Sequence, residues 1–330
     1  MAGNANFDAL LSTTLANYRD KLTDNVFSAR PLTYWLMDKG RIRTETGGTK
    51  IVEQLIYGQN DTVKSYSAWE TLALTPQEGI SAAEYDWKQY GASIAISGLE
   101  EAKNNGEHAI IDLLEAKIMQ AEESMREGFN RMFFSDGTDT LGTDGMGVPN
   151  GSDSGKSWNG LGNLVDQYNV VGGIDGDAGG NQFWNSYVDS TATGLTLAQM
   201  ATAYNSVSVG NDHPDFILTT QNLFERYEAL LQPQLRYTDT RTADAGFQNL
   251  LFKSAPVTYD VHAPTGTMYF INSKYISLVG HSQKWFQNTP FVRPENMDAR
   301  YALILCYGNL TIRNRAKQGK LTNKTDAAPV

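Results

Sequence analysis

Seven apolar residues, Ile110, Leu114, Ile118, Ala121, Met125, Phe129 and Met132, follow one another at steps of 4, 4, 3, 4, 4 and 3. That is the step of one face of an α-helix, and Glu115, Gln120, Glu122, Glu123, Arg126 and Arg131 take the other faces. Asn104 with Glu107 three residues later matches an N-terminal capping box, and Gly137 follows the last apolar turn as a stop. The spacing predicts one helix over about 107–134, roughly 42 Å long at 1.5 Å per residue. Helices of globular domains average about 11–12 residues. A single amphipathic helix of this length is a spine across a flat or extended body.

The sequence before the spine divides in two. Phe7, Leu10, Leu11, Tyr18 and Leu22 share one helix face, predicting a helical arm that buries its stripe on its own domain or on a neighbouring subunit. A short helix is expected over Leu32 to Met37, with Pro31 near its first turn. From 41 onward the pattern changes. Ile51-Val52 and Leu55-Ile56-Tyr57 lead to the turn-like Gly58-Gln59-Asn60-Asp61. The stretch through Tyr66, Trp69, Leu72 and Leu74 is extended by composition, and Pro76 to Gly79 breaks it. Tyr85, Trp87, Ile94 and Ile96 alternate with charged or small residues. This period of two predicts long antiparallel strands with a projecting hairpin, whose tip between 58 and 70 has too few consecutive apolar residues to sit in a core.

After the spine, the 59 residues from Asp136 to Gly194 hold 14 of the 30 glycines, which predicts surface loop with contacts outside its own domain. Elements then alternate. A helix over Thr196 to Tyr204 opens with a Thr196/Gln199 capping box; a strand over Phe216 to Thr219 and a helix over Asn222 to Leu231 follow. Strands are expected at Leu250 to Phe252, Val257 to Val261 and Met268 to Ile271, with one or two more in Tyr301 to Cys306 and Leu310 to Ile312. This half reads as a mixed α/β layer. With no internal repeat and no low-complexity linker, the domains are expected to interleave.

Composition narrows the function. The 330 residues suffice for roughly two domains, and 41% hydrophobic residues give them a core. Lys plus Arg number 27 against 37 Asp plus Glu, a net charge of −10, which argues against gripping nucleic acid through clustered cations. Cys306 is the single cysteine, so no intrachain disulfide is expected. The opening residues lack the basic start and apolar run of a signal peptide, and no stretch approaches the roughly 18 apolar residues that cross a bilayer. A soluble protein made in a cytoplasm is expected.

No catalytic constellation emerges. Gly151 to Ser157 superficially resembles a phosphate-binding loop, but only three residues separate its glycines and no helix is expected to follow. Asp136, Asp139 and Asp144, and Asp175 with Asp177, lack the calcium-loop pattern and read as turn formers beside glycine. His108, His213, His262 and His281 form no zinc motif, and Gly280-His281-Ser282-Gln283 is no nucleophile elbow. Glu100 and Glu101 suit a helix start. Arg313, Arg315, Lys317, Lys320 and Lys324 read as a solvated face or a subunit contact.

The order of features carries more than any motif. An arm, a projecting two-stranded loop, a strand into a very long helix, a Gly-rich loop and an α/β layer with closing strands resemble the major capsid proteins of tailed double-stranded DNA bacteriophages, the Hong Kong 97-type fold. The segments 47–60 (GGTKIVEQLIYGQN), 83–107 (AEYDWKQYGASIAISGLEEAKNNGE), 226–260, 268–278 (MYFINSKYISL) and 308–321 (GNLTIRNRAKQGKL) carry the resemblance in order. It implies an α+β fold: an N-terminal arm at 1–40, an extended β-hairpin E-loop at 41–84, and a peripheral domain at 85–149 with the spine helix and the Gly-rich loop after it. A mixed α/β axial domain at 150–279 and closing peripheral strands with a tail at 280–330 complete it. The E-loop of that family lies over an adjacent subunit, which makes Phe7, Leu10, Leu11, Tyr18, Tyr57, Tyr66 and Trp69 the expected subunit contacts.

The resemblance also implies self-assembly, in hexamers and pentamers, into an icosahedral shell around a double-stranded DNA genome held without sequence-specific contacts. No reaction, no cofactor, no metal and no membrane are implied. The arm starts within the first ten residues, so a separate scaffolding protein is expected, or self-assembly without one, or a chain already processed, which Met1 disfavours; a portal and a decoration protein are implied as further partners. The virion, assembled in a bacterial host cytoplasm, is the expected location. Lys50, Lys64 and Asn323 lie where some members cross-link, but no motif ties them and cross-linking is not expected. Two rivals stand beside this reading: an encapsulin-like nanocompartment enclosing cargo enzymes, and a monomeric α/β hydrolytic enzyme with a dispersed site.

Overall fold

The computed structural model describes residues 30–103, 107–135, 156–231 and 249–326. The expected opening helix, with Phe7, Leu10, Leu11 and Tyr18, lies outside them, as do Asn104, Gly137 and the aspartates at 136, 139 and 144. The first described helix, Pro31–Asp38 (α1), takes its proline in the first turn, where the missing N–H has no bond to lose. Leu32 and Leu36 are fully buried and Trp35 stacks on Phe216 at 4.7 Å. Strands Ile42–Glu45 (β1), Ile51–Ile56 (β2), Ile80–Tyr85 (β3) and Lys88–Ser97 (β4) come next. Helix Gly98–Lys103 (α2) then leads toward the spine, Glu107–Phe134 (α3), whose bounds are those the apolar stripe predicts.

Along α3, Ile118, Ala121, Met125, Phe129 and Met132 are buried while Glu115, Gln120 and Glu123 face out. Glu122 and Asn130 depart from that division and are buried. Glu122 pairs with Arg126 at 3.5 Å, and Asn130 donates to Asp260 at 2.7 Å. Gly128 faces Tyr90 of β4 so closely that a Cβ would collide with the phenol oxygen, so glycine lets the spine seat on the strand.

The later elements are Leu161–Leu164 (α4), Val170–Val171 (β5), Ile174–Asp175 (β6), Tyr187–Asp189 (β7) and Thr193–Gly194 (β8). Leu197–Ser206 (α5) carries the reciprocal Thr196/Gln199 capping box, and Phe216–Thr219 (β9) precedes Gln221–Leu230 (α6). Then come Leu250–Phe252 (β10), Ala255–Tyr259 (β11), Met268–Ile271 (β12), Ile276–His281 (β13) and Gln287–Asn288 (β14). The last strands are Ala299–Ile312 (β15), Gly319–Leu321 (β16) and Lys324–Thr325 (β17). The one or two strands expected near the end are a single strand of 14 residues.

Two sheets organise these strands. In the first, β15 is central: β4 runs antiparallel along one edge from Ser97↔Ala299 to Lys88↔Gly308, and β13 and β14 share the other, with β1 outside β13. The spine packs against β4. The second sheet has the order β10-β11-β9-β12-β16-β7, and every residue of β9 and β12 is buried, because helices and the first layer cover both faces. A separate apolar cluster under α5 and α6 fills its outer side. The chain passes from the second sheet to the first between β12 and β13 and returns at β16, so the layers interleave as expected. β16 thus joins the six-stranded sheet from within the stretch assigned to closing strands and tail.

Two expectations fail. The long strands foreseen through Tyr66 to Leu74 stop at Ile56, and residues 57–79 carry no ladder. A ribbon that leaves the body has no third strand to pair with, and glycine, asparagine and proline punctuate the chain between its two strands. Residues 156–194, expected as surface loop, bury Trp158, Leu161, Leu164, Val165, Val171 and Trp184. Gly160 opens α4 against the end of the spine, where a Cβ would collide with the Met132 and Ser135 backbone.

Candidate assembly surface

β2 and β3 pair only with each other, from Ile51↔Tyr85 to Ile56↔Ile80. Two strands alone are marginal in water, so this ribbon needs ties to the body. Its inner face carries Ile51, Glu53, Leu55, Ala83 and Tyr85, all buried. Glu53 is 1% exposed. Its Oε1 accepts from Arg43 and, at 2.8 Å, from Thr311, and its Oε2 accepts from Arg313 at 2.6 Å. The Tyr85 hydroxyl donates to the Ile312 carbonyl at 2.7 Å and accepts from the Ile312 amide. Burial holds the Tyr85 phenol above its ordinary value, against the pull of the Ile312 hydrogen bond. On the outer edge the Glu84 amide donates to the Gly172 carbonyl at 2.9 Å.

Beyond Ile56 the strands close through a neck where Gly58 and Gly79 meet. A Cβ on Gly58 would lie 3.0 Å from the Gly79 Cα, which is why both positions are glycine. Past the neck, side-chain bonds are local: Asn60 accepts from the Thr62 amide at 2.9 Å, and Lys64 pairs with Glu70 at 2.7 Å. Tyr57, 43% exposed, stacks on Phe183 at 4.7 Å. Tyr66 is 62% exposed, Trp69 98%, Leu74 96% and Val63 83%. Aromatic side chains cover about 150–250 Å² each when buried, so Tyr66 and Trp69 together leave on the order of 300 Å² that a partner surface could cover. Val63 and Leu74 are not among the contacts expected from sequence, though isolated apolar residues amid turn formers are their signal.

A second apolar patch lies at the far end of β4 and β15. Val292 and Tyr301 exchange two backbone bonds at 3.0 Å, Gly98 bonds Asp298, and Leu99, Val292, Met297 and Tyr301 are exposed around them. Glu100 and Ser97 form a reciprocal cap for α2, and Glu101 pairs with Arg300 and Arg293 at 3.2 and 3.7 Å. Both glutamates are structural.

Of the five tail cations, Arg313 is exposed and Lys317 half-buried, but Arg315, Lys320 and Lys324 are buried and form no solvated face. Arg315 is fully buried: its Nε, Nη1 and Nη2 donate to the carbonyls of Leu164, Asn169 and Asp166 at 2.9, 2.9 and 2.7 Å. Burial pulls its guanidinium down to about 10, still charged at neutral pH. Lys320 bonds the Asp166 carboxylate and the Gly162 carbonyl, and Lys324 bonds Asp189 at 3.0 Å and the Thr191 carbonyl at 2.7 Å. Burial would raise the Asp166 carboxyl, but the Lys320 ammonium and the Tyr168 and Gln167 amides outweigh it and leave it below its ordinary value. These cations serve as internal donors because the irregular stretch 162–191 has carbonyls that no ladder satisfies.

The remaining sequence candidates are structural. The Asp175 carboxylate accepts from the Asp177 amide, an Asx turn. His213, His262 and His281 are dispersed, facing Tyr204, Glu127 and Trp87. Lys50 pairs with Glu84 at 2.7 Å, and Asn323 donates to the Ser190 carbonyl. Among the described residues no group of three or more His, Cys, Asp or Glu could hold a metal ion, and no helix is long and apolar enough to cross a membrane.

This architecture recurs in solved structures. The capsid asymmetric unit of cyanophage A-1(L) matches with a TM-score of 0.61 over 86% of this chain and 90% of that one, at 15% identity. The capsid of a native GTA particle matches at 0.54, covering 87% and 89%, with 10% identity. The holo-SrpI encapsulin complex from Synechococcus elongatus PCC 7942 matches at 0.50, covering 90% and 89%, with 12% identity. No protein-family model and no curated protein sequence matches the chain. At such identity the shared property is the backbone arrangement, and the chain has the Hong Kong 97-type capsid fold.

Proposed function

We propose that this chain is a major capsid protein that assembles, as hexamers and pentamers, into an icosahedral shell around a double-stranded DNA phage genome. One observation carries the reading: in a fold shared with capsid subunits, the hairpin tip presents Trp69, Leu74, Val63 and Tyr66 to solvent. A second copy is the natural cover, with Tyr57, Tyr66 and Trp69 as contacts together with the arm residues Phe7, Leu10, Leu11 and Tyr18. The residues act by burial across interfaces, not by catalysis. A net charge of −10 suits a container that encloses DNA without gripping it. A separate scaffolding protein, a portal and a decoration protein would complete the virion, built in a bacterial host cytoplasm.

The purified chain tests this in light scattering and electron micrographs. Capsomers or closed particles are expected, and in infected cells particles would protect DNA of uniform length from nuclease. A chain that stays monomeric at high concentration would sink the reading. The encapsulin match supports a second reading on the same fold, and particles filled with a protein cargo and free of protected DNA would favour it.

A further inference from the structure

Glu53 is the one charged residue on the inner face of the ribbon, between Ile51 and Leu55. Its donors come from elsewhere: Arg43 on β1, Thr311 on β15 and Arg313 just beyond. Tyr85, on the other strand, ties to Ile312 in the same stretch. Apart from the Arg43 bond, the polar side-chain ties of the ribbon's inner face therefore gather at residues 311–313.

A buried ion pair is a poor source of net stability, because removing two charges from water offsets most of their attraction, and apolar residues of similar volume often do as well. Direction is another matter. A carboxylate held by donors in fixed places accepts one arrangement, whereas Ile51 and Leu55 on an apolar wall could settle at several angles. A ribbon of six residues spans roughly 20 Å, so a tilt of about 20° at the root moves its far end by about 7 Å, more than one strand spacing.

We propose that the Glu53–Arg43–Thr311–Arg313 cluster is a directional device that sets the angle at which the hairpin leaves the five-stranded sheet, and with it the spacing of neighbouring copies. The inference rests on the assembly reading above. Two full-length variants test it beside the parent. Glu53→Gln keeps the shape and removes the charge; Glu53→Met with Arg313→Met replaces the pair by apolar volume.

Both variants are expected to keep the parental circular dichroism; the double variant should hold a thermal midpoint within about 5 °C of the parent, while Glu53→Gln, which leaves Arg43 and Arg313 without their carboxylate, should melt lower. In electron micrographs, closed particles of the parental diameter should fall at least tenfold, replaced by open sheets, tubes or shells of mixed size. Parental yield and diameter from the double variant would overturn the device. So would a midpoint drop beyond that range in the double variant, since the cluster would then act through stability. If the parent itself folds but forms no particles, the assembly reading fails first and the device falls with it.

Discussion

Residues 57–79 carry no regular element and residues 156–195 only short ones, and the rest of the chain treats them oppositely. The later segment is drawn inward: Trp158 and Trp184 fill the core, and Arg315, Lys320 and Lys324 reach back to bond its carbonyls and carboxylates. Among the described residues the earlier segment receives almost nothing past its neck. Its side-chain bonds run within itself, and Trp69 and Leu74 face water. An irregular stretch becomes part of a body when other elements supply donors for its backbone and a wall for its apolar groups. Where they supply neither, the apolar groups stay in water, and the proposed assembly is what would cover them.

The sharpest way to break this contrast is to remove a donor from the inward segment. Arg315→Ala removes a donor from the Leu164, Asn169 and Asp166 carbonyls, of which the last keeps the Ser186 amide, so two are left unpaired at about 1–3 kcal/mol each, and the packing of the long side chain is lost as well. A loss of about 3–5 kcal/mol in urea unfolding is expected. Arg315→Lys should recover less than half, because an ammonium cannot span the fork that a guanidinium fills. A loss below about 1 kcal/mol for the alanine variant would mean that the segment holds itself in place.

Alkali should separate the two regions by sign. Burial holds Tyr85, at the hairpin root, above the ordinary phenol value of about 10. Its contribution is complete below that value and declines as pH rises toward its folded value, because the unfolded chain loses the proton first. Arg315 moves the other way: its folded value of about 10 lies below the unfolded one, so between them the folded state binds fewer protons and gains relative stability as pH rises. Between about pH 10 and 11.5, amide exchange should quicken around 51–56 and 80–85 before it does around 162–171. Tyr85→Phe should weaken that pH dependence at the ribbon, and simultaneous opening of both regions would count against the assignment.

How much of this is legible in the sequence depends on where the partners lie. The spine is legible because seven apolar residues repeat within one element, and β9 and β12 because each is a short apolar run between breakers. The tail cations mislead because their acceptors, Leu164, Asp166 and Asn169, stand about 150 residues earlier. Glycine content masks the tryptophans of the inward segment. Glu53 escapes notice although its signal is local: in the alternation of β2 it occupies the apolar phase, where an acidic residue needs a buried donor.

The smallest effect on folding is expected at the tip, where it is most informative. Trp69→Ser with Leu74→Ser removes two side chains that are almost fully exposed among the described residues. Unfolding free energy should change by less than about 0.5 kcal/mol, as for surface positions in general. If another copy covers the tip, the same change should raise the concentration needed for assembly at least tenfold, because aromatic anchors at the centre of an interface each contribute about 2 kcal/mol or more. Stability and assembly would then respond to opposite halves of the molecule, the first to Arg315 and the second to Trp69. A tip variant that assembles at the parental concentration would remove the contrast, and one that loses several kcal/mol of stability would show that the tip packs on its own body.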